Sequence, residues 1–175
     1  MRKKSTADNP LGEAVQDNKE EFVITPEIKS VSINQGLLKE ITKHSKEAIP
    51  KEAIGLLDGK LEKPGEIVIR KIFFVTVGEE YSVTFSDEDF HVFEQMQFCV
   101  GWWHSHPGFG LFLSSTDITT HIFSFQITRP HSVALVVDPT KLDANGLAEH
   151  RFFQVEGNSK ANNFGFKEVA SYITR

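Results

Sequence analysis

Two histidines and one aspartate carry the spacing of a metal site. His104-Ser105-His106 closes a run rich in β-formers, and Asp117 stands eleven positions after His106, in the first turn of a predicted helix. Residues i and i+2 of a strand point to one face, so the two imidazoles would project together. Pro107, Gly108 and Gly110 form the intervening loop, which can fold the helix start back onto the strand end. Two imidazoles and a carboxylate are a sound ligand set for zinc, with the fourth tetrahedral position left for water. Water at such a site has its pKa lowered to roughly 7, giving a hydroxide-like nucleophile at neutral pH.

The same residues have plainer readings. An isolated H-x-H is a weak pattern, and Ser114-x-x-Asp117 also reads as an N-cap with an acidic N3 residue, a capping box. One serine can serve both purposes. His121 lies four residues after Asp117 on the same helical face, so spacing leaves it open as a ligand. Trp102 and Trp103 read as packing around the site, and Cys99 as a small core residue in an apolar strand. Phe109 and Phe112 flank the loop, where they could line a groove.

The elements that must position these groups follow from periodicity. Ile33 to His44, with Leu37, Leu38 and Ile41, predicts a short amphipathic helix ending near Pro50. Ala53 to Leu57 and Ile67 to Val77 read as two strands joined by a turn around Lys63-Pro64-Gly65. Tyr81 to Phe85 alternates as a short strand, and Ser86-Asp87-Glu88-Asp89 would open a helix. Phe98 to His104 is the strand carrying the histidines, and Ser114 starts a helix to about Gln126. Val133 to Val137 and Leu147 to Val155 are further strands, and Phe164 to Ile173 a closing helix. Strands and helices alternate irregularly, which predicts an α/β (α+β type) domain with a mixed sheet flanked by helices.

Composition narrows the function classes. The 175 residues suit one domain with a full-sized core, with residues 1 to about 20 expected to be a disordered leader and 21–175 a single domain. Acidic side chains outnumber basic ones 24 to 19, for a net charge of −5, which argues against nucleic acid as a partner. The one cysteine makes a disulfide framework or a Cys-based zinc site impossible within the chain. Polar residues follow the basic Met1-Arg2-Lys3-Lys4, and no run approaches a membrane span, so the expectation is a cytoplasmic protein without a membrane partner.

Gly101-Trp102-Trp103-His104-Ser105-His106-Pro107-Gly108-Phe109-Gly110, followed by Leu113-Ser114-x-x-Asp117, resembles the signature H-x-H-x7-S-x2-D of the JAMM (MPN+) zinc metalloproteases. Glu52, in Glu52-Ala53-Ile54-Gly55-Leu56-Leu57-Asp58-Gly59, looks like the family's upstream glutamate, and Val136-Val137-Asp138-Pro139 like its strand after the metal helix. The resemblance covers roughly residues 30 to 156. Within the family, the Pro-Gly-Phe-Gly loop is most similar to that of the proteasome-lid deubiquitinase subunit and its archaeal relatives. Trp103 departs mildly, since the family often has tyrosine there.

The resemblance implies a mixed, mostly antiparallel curved sheet and one Zn2+ per chain on His104, His106 and Asp117. It implies Glu52 as general base and proton carrier to the leaving amine, and Ser114 as oxyanion donor. The substrate would be a protein conjugated to ubiquitin or a ubiquitin-like protein with a C-terminal Gly-Gly, in connection with the proteasome. The segment from Val77 to Asp87 would border the groove, so Val83 and Phe85, with Phe109, are the expected substrate contacts. Two other readings stay open: a non-catalytic MPN scaffold, and a peptidase that processes a sulfur-carrier ubiquitin-like protein. The long C-terminal helices of the lid subunit and the second zinc site of endosomal relatives are not visible in the sequence.

Overall fold

The computed structural model describes residues 21–78, 92, 96 and 98–175. Among the described residues eight strands form one sheet: β1 (Val23–Ile24), β2 (Ser30–Asn34), β3 (Ala53–Lys63), β4 (Glu66–Val77), β5 (Cys99–Ser105), β6 (Val133–Leu142), β7 (Ala148–Asn158) and β8 (Gly165–Thr174). Their order is β1-β7-β6-β5-β3-β4-β2-β8, and β8 also pairs with β7, so the sheet curves round on itself. The pairs β5–β6, β2–β4 and β2–β8 are parallel and the others antiparallel.

Helix α1 (Gln35–Ala48) begins at Asn34, whose side chain accepts the Gly36 N–H at 2.7 Å, and it buries Leu38, Ile41, Thr42 and Ser45 against one face of the sheet. Trp103, Leu57 and Leu135 point to that face. The opposite face carries Trp102, Ile54, Leu56 and Val136 and is covered by α2 (Ser115–Thr120), which continues directly into a π-helical turn, His121–Gln126. A parallel pair cannot be closed by a hairpin and needs a long crossover. Here α2 and the π-helical turn are that crossover between β5 and β6, which is why Asp117 returns over the face bearing the histidines.

Three expectations are corrected. Phe164 to Ile173 does not form a closing helix: β8 pairs with β7 through Gly165 to Val169 and with β2 through Ala170 to Thr174. Phe166, Val169 and Ile173 have helical spacing, but the open edges of β2 and β7 offer this segment a ladder, and pairing overrides the pattern. The first helix starts at Gln35 rather than Ile33, because Ile33 is fully buried in β2. β6 runs past Asp138-Pro139 to Leu142. The two strands around Lys63-Pro64-Gly65 form as expected, with Gly65 at φ +83° in the turn. The expected strand at Tyr81 to Phe85 and the helix after it lie outside the described residues.

Candidate metal centre

The β3–β5 register pairs Ile54 with His104, and continuing it places Glu52, just before β3, across from His106. The Ser105 hydroxyl accepts the Ala53 N–H at 2.9 Å and ties the two strand ends together. The Glu52 carbonyl accepts the Gly78 N–H at 2.8 Å, fixing the same end to the exit of β4.

On this frame the ring nitrogens converge. His104 Nε2 and His106 Nε2 are 3.0 Å apart, His104 Nε2 lies 3.4 Å from Asp117 Oδ1, and His106 Nε2 lies 3.6 Å from Asp117 Oδ2. Donor atoms about 2.0–2.1 Å from a tetrahedral zinc stand roughly 3.3 Å from one another. The His–His separation and the shortest approach of each histidine to Asp117 lie near that value, with the two histidines facing different oxygens of the carboxylate, so these residue types in this arrangement fit a zinc site. All three residues are buried.

Neighbouring groups set each ligand's orientation. His106 Nδ1 faces the Gly110 carbonyl at 3.2 Å, which places the ring proton on Nδ1 and leaves the Nε2 lone pair toward the cluster. Asp117 Oδ2 accepts the Ser114 N–H at 2.7 Å. The loop between them hangs from Asp138, fully buried at the end of the apolar part of β6. Its Oδ1 accepts the Gly108 N–H at 3.0 Å, the Thr140 N–H at 3.0 Å and the Thr140 hydroxyl at 2.6 Å. Sequence reasoning placed Asp138 directly after the Val133 to Val137 strand but assigned it no task; an acid following five apolar strand residues was the available signal.

Electrostatics separate the two carboxylates. Burial pushes Glu52 up to about 7, only partly offset by His106 and reinforced by Asp117. Burial would raise Asp117 too, but His104, His106 and Ser114 outweigh it and hold the group below the usual carboxylate range. Burial lowers His104, while for His106 the opposing influence of Asp117, Glu52 and Gly110 overcomes burial and raises it. Glu52 Oε1 lies 3.8 Å from His106 Nε2, beside the donor cluster.

His121 is not drawn into the cluster. It is fully buried, and its Nδ1 accepts the Trp102 Nε1–H at 3.1 Å. Of the expected groove residues, Phe109 is exposed, as is Phe112, whose ring lies 5.1 Å from that of His106. Val83 and Phe85 lie outside the described residues. A separate cavity of about 720 Å³, lined by Phe98, Cys99 and Arg129 among others, sits at the opposite end of β5 and includes none of these groups.

A family model described as "JAB1/Mov34/MPN/PAD-1 ubiquitin protease" matches residues 26–130. The "Ubiquitin carboxyl-terminal hydrolase RPN11" of Saccharomyces cerevisiae is 30% identical over 152 residues, covering 82% of this chain and 49% of that protein. The "COP9 signalosome complex subunit 5a" of Arabidopsis thaliana is 29% identical over 131 residues, covering 69% and 36%. The chain thus spans about half or less of the length of these relatives. The solution structure of protein DSY2949 from Desulfitobacterium hafniense superposes with a TM-score of 0.61 at 18% identity, covering 83% of this chain and 93% of that one, a likeness of fold. Because the matched stretch is more than half of the chain and contains Glu52, His104, His106, Ser114 and Asp117, this chain belongs to the JAB1/Mov34/MPN/PAD-1 family.

Proposed function

We propose that residues 21–175 form a single zinc-dependent isopeptidase domain that removes ubiquitin or a ubiquitin-like modifier from conjugated proteins. The observation that carries this reading is the convergence of His104, His106 and Asp117 with donor separations of 3.0–3.6 Å, beside a buried Glu52. A zinc ion held by His104, His106 and Asp117 would supply Lewis acidity at the scissile carbonyl and lower the pKa of water to roughly 7. Glu52, pushed up to about 7, is suited to take a proton from the attacking water and return it at neutral pH. The water oxygen bonds to the carbonyl carbon, the isopeptide C–N bond breaks, and Glu52 delivers the proton to the departing amine. Ser114 donates its hydroxyl hydrogen to the carbonyl oxygen as that oxygen gains charge.

An extended Gly-Gly tail would lie along the segment containing Val83 and Phe85, adding a strand beside it, with Phe109 at the groove's edge. The name of the Saccharomyces cerevisiae relative, a ubiquitin carboxyl-terminal hydrolase, supports a ubiquitin-like substrate, and association with a proteasome is part of the proposal. Among the described residues no helix is long and apolar enough to cross a membrane, and a cytoplasmic site of action is part of the proposal.

The test is incubation of the purified chain with ubiquitin and with ubiquitin-like proteins carrying a C-terminal extension, with and without a chelator. Chelator-sensitive release of the extension supports the proposal. Cleavage of sulfur-carrier fusions alone would move the substrate class, and a zinc-free, inactive chain would favour an assembly module.

A further inference from the structure

Two columns of side chains face each other over the site. Trp102 and His104 alternate along one face of β5, and His106 follows one residue past its end. Asp117, His121 and Phe125 follow at intervals of four along the crossover helix, in the opposite direction. Asp117 meets the two histidines, while His121 and Phe125 meet Trp102.

The two histidine ligands are oriented by different means. His106 is tethered through Nδ1 to the Gly110 carbonyl. His104 shows no such tether: among the described residues its buried Nδ1 has no hydrogen-bond partner. Metal-binding histidines ordinarily use that second nitrogen to fix the plane of the ring. For His104 the plane is instead set by the Trp102 indole, stacked at 4.5 Å between centroids and 11° between planes. That indole is itself fixed, since its Nε1–H is donated to His121 Nδ1 at 3.1 Å and Phe125 lies parallel to it at 6.0 Å. Turning the indole in its plane would cost His121 this bond inside a fully buried pocket, where water cannot replace it.

We propose that His121 is a positioning residue of the metal centre: by holding the Trp102 Nε1–H it fixes the indole that sets the ring plane of His104, and so governs how tightly the cluster holds its metal. The inference rests on the metal-site reading above. It answers the question left open by the spacing of His121 and Asp117, since His121 acts on the site through Trp102 rather than as a ligand.

Zinc affinity by chelator competition, and the visible spectrum of the Co2+-loaded protein, test this without recourse to turnover. His121→Leu removes the acceptor, and His121→Gln offers an amide oxygen in its place. The leucine variant is expected to weaken zinc binding by about 10- to 100-fold, the range for outer-sphere partners, and to shift the cobalt bands. The glutamine variant is expected to stay within about threefold of wild type. Trp102→Phe keeps a ring but not the donor; it should weaken zinc as well, and carries the test if the leucine variant does not fold. Adding His121→Leu to Trp102→Phe should then have no further effect, because the pair acts as one unit. Wild-type affinity in His121→Leu or in Trp102→Phe, or equal loss in the leucine and glutamine variants, overturns the proposal. Failure of the wild-type chain to bind either ion would instead remove the metal-site reading on which it rests.

Discussion

Ser114 and Asp117 are bonded to each other in both directions: the Ser114 N–H is donated to Asp117 Oδ2 at 2.7 Å, and the Asp117 N–H to Ser114 Oγ at 3.2 Å. The capping box that starts α2 therefore also fixes the carboxylate whose Oδ1 faces His104. Because Ser114 Oγ is the acceptor in this box, its own hydrogen remains to be donated elsewhere. The structural and chemical readings of this serine are compatible in one conformation.

Ser114→Ala separates those two tasks. Loss of the cap should cost about 1 kcal/mol of stability by urea unfolding. The N–H that holds Asp117 Oδ2 belongs to the backbone and survives, so zinc content should persist. Turnover should fall by roughly a hundredfold or more, as for loss of one oxyanion donor. A stability loss with unchanged kcat would leave Ser114 as a cap alone.

The ligand assignment makes a sharper demand. His104→Ala, His106→Ala and Asp117→Ala each remove one residue of a cluster in which the histidine nitrogens lie 3.0 Å apart and 3.4 and 3.6 Å from the two Asp117 oxygens. Each variant should come through purification with little or no zinc by elemental analysis. Full zinc in any of the three would mean that the ion sits elsewhere.

Glu52→Gln tests chemistry without touching the donors. The substitution keeps side-chain shape and removes the proton acceptor, so zinc should be retained while kcat falls by about 10²- to 10⁴-fold. Cleavage at the wild-type rate would assign proton transfer to another group.

How much of this was legible beforehand depended on the range of the interactions. His104, His106 and Asp117 are set by a two-residue strand period and a helix first turn, both local patterns. β2 was missed because its five residues are held by β4 and by β8, the latter pairing Ser30 with Ala170 across most of the chain. Gln154 looks like an ordinary polar strand residue, yet it is fully buried and makes four bonds. Its Oε1 takes the Glu27 and Ile28 N–H groups at 2.9 and 2.8 Å, and its Nε2 reaches the Pro130 and Ser132 carbonyls at 3.0 and 2.9 Å. Gly55 likewise has no local signal: a Cβ there would meet the Phe73 carbonyl oxygen at 2.1 Å and Trp103 Nε1 at 2.3 Å, so the indole of Trp103 lies flush on β3 only because this position is glycine. Such positions are specified by partners far away in the chain.

The last expectation concerns acid, and it pits two buried groups against each other in the metal-free protein. Burial pushes His121 from its ordinary 6.5 down to about 3, and pushes Glu52 from 4.5 up to about 7. Between pH 6.5 and 3 the unfolded chain binds a proton at His121 that the folded chain refuses, so this group makes stability fall as pH falls. The slope is about 1.4 kcal/mol per pH unit, or about 2 kcal/mol lost between pH 7 and pH 5. Between pH 7 and 4.5 the folded chain holds a proton on Glu52 that the unfolded chain releases, so that group makes stability rise as pH falls. The two effects oppose each other across the same window and partly conceal one another in the wild-type chain. Urea midpoints of chelator-treated protein at pH 7 and pH 5 should uncover them. His121→Gln should lose less stability on acidification than wild type, and Glu52→Gln should lose more. If both variants change in parallel with wild type, neither group carries the protonation difference, and the neutral, hydrogen-bond-accepting state of His121 against Trp102 would need another explanation.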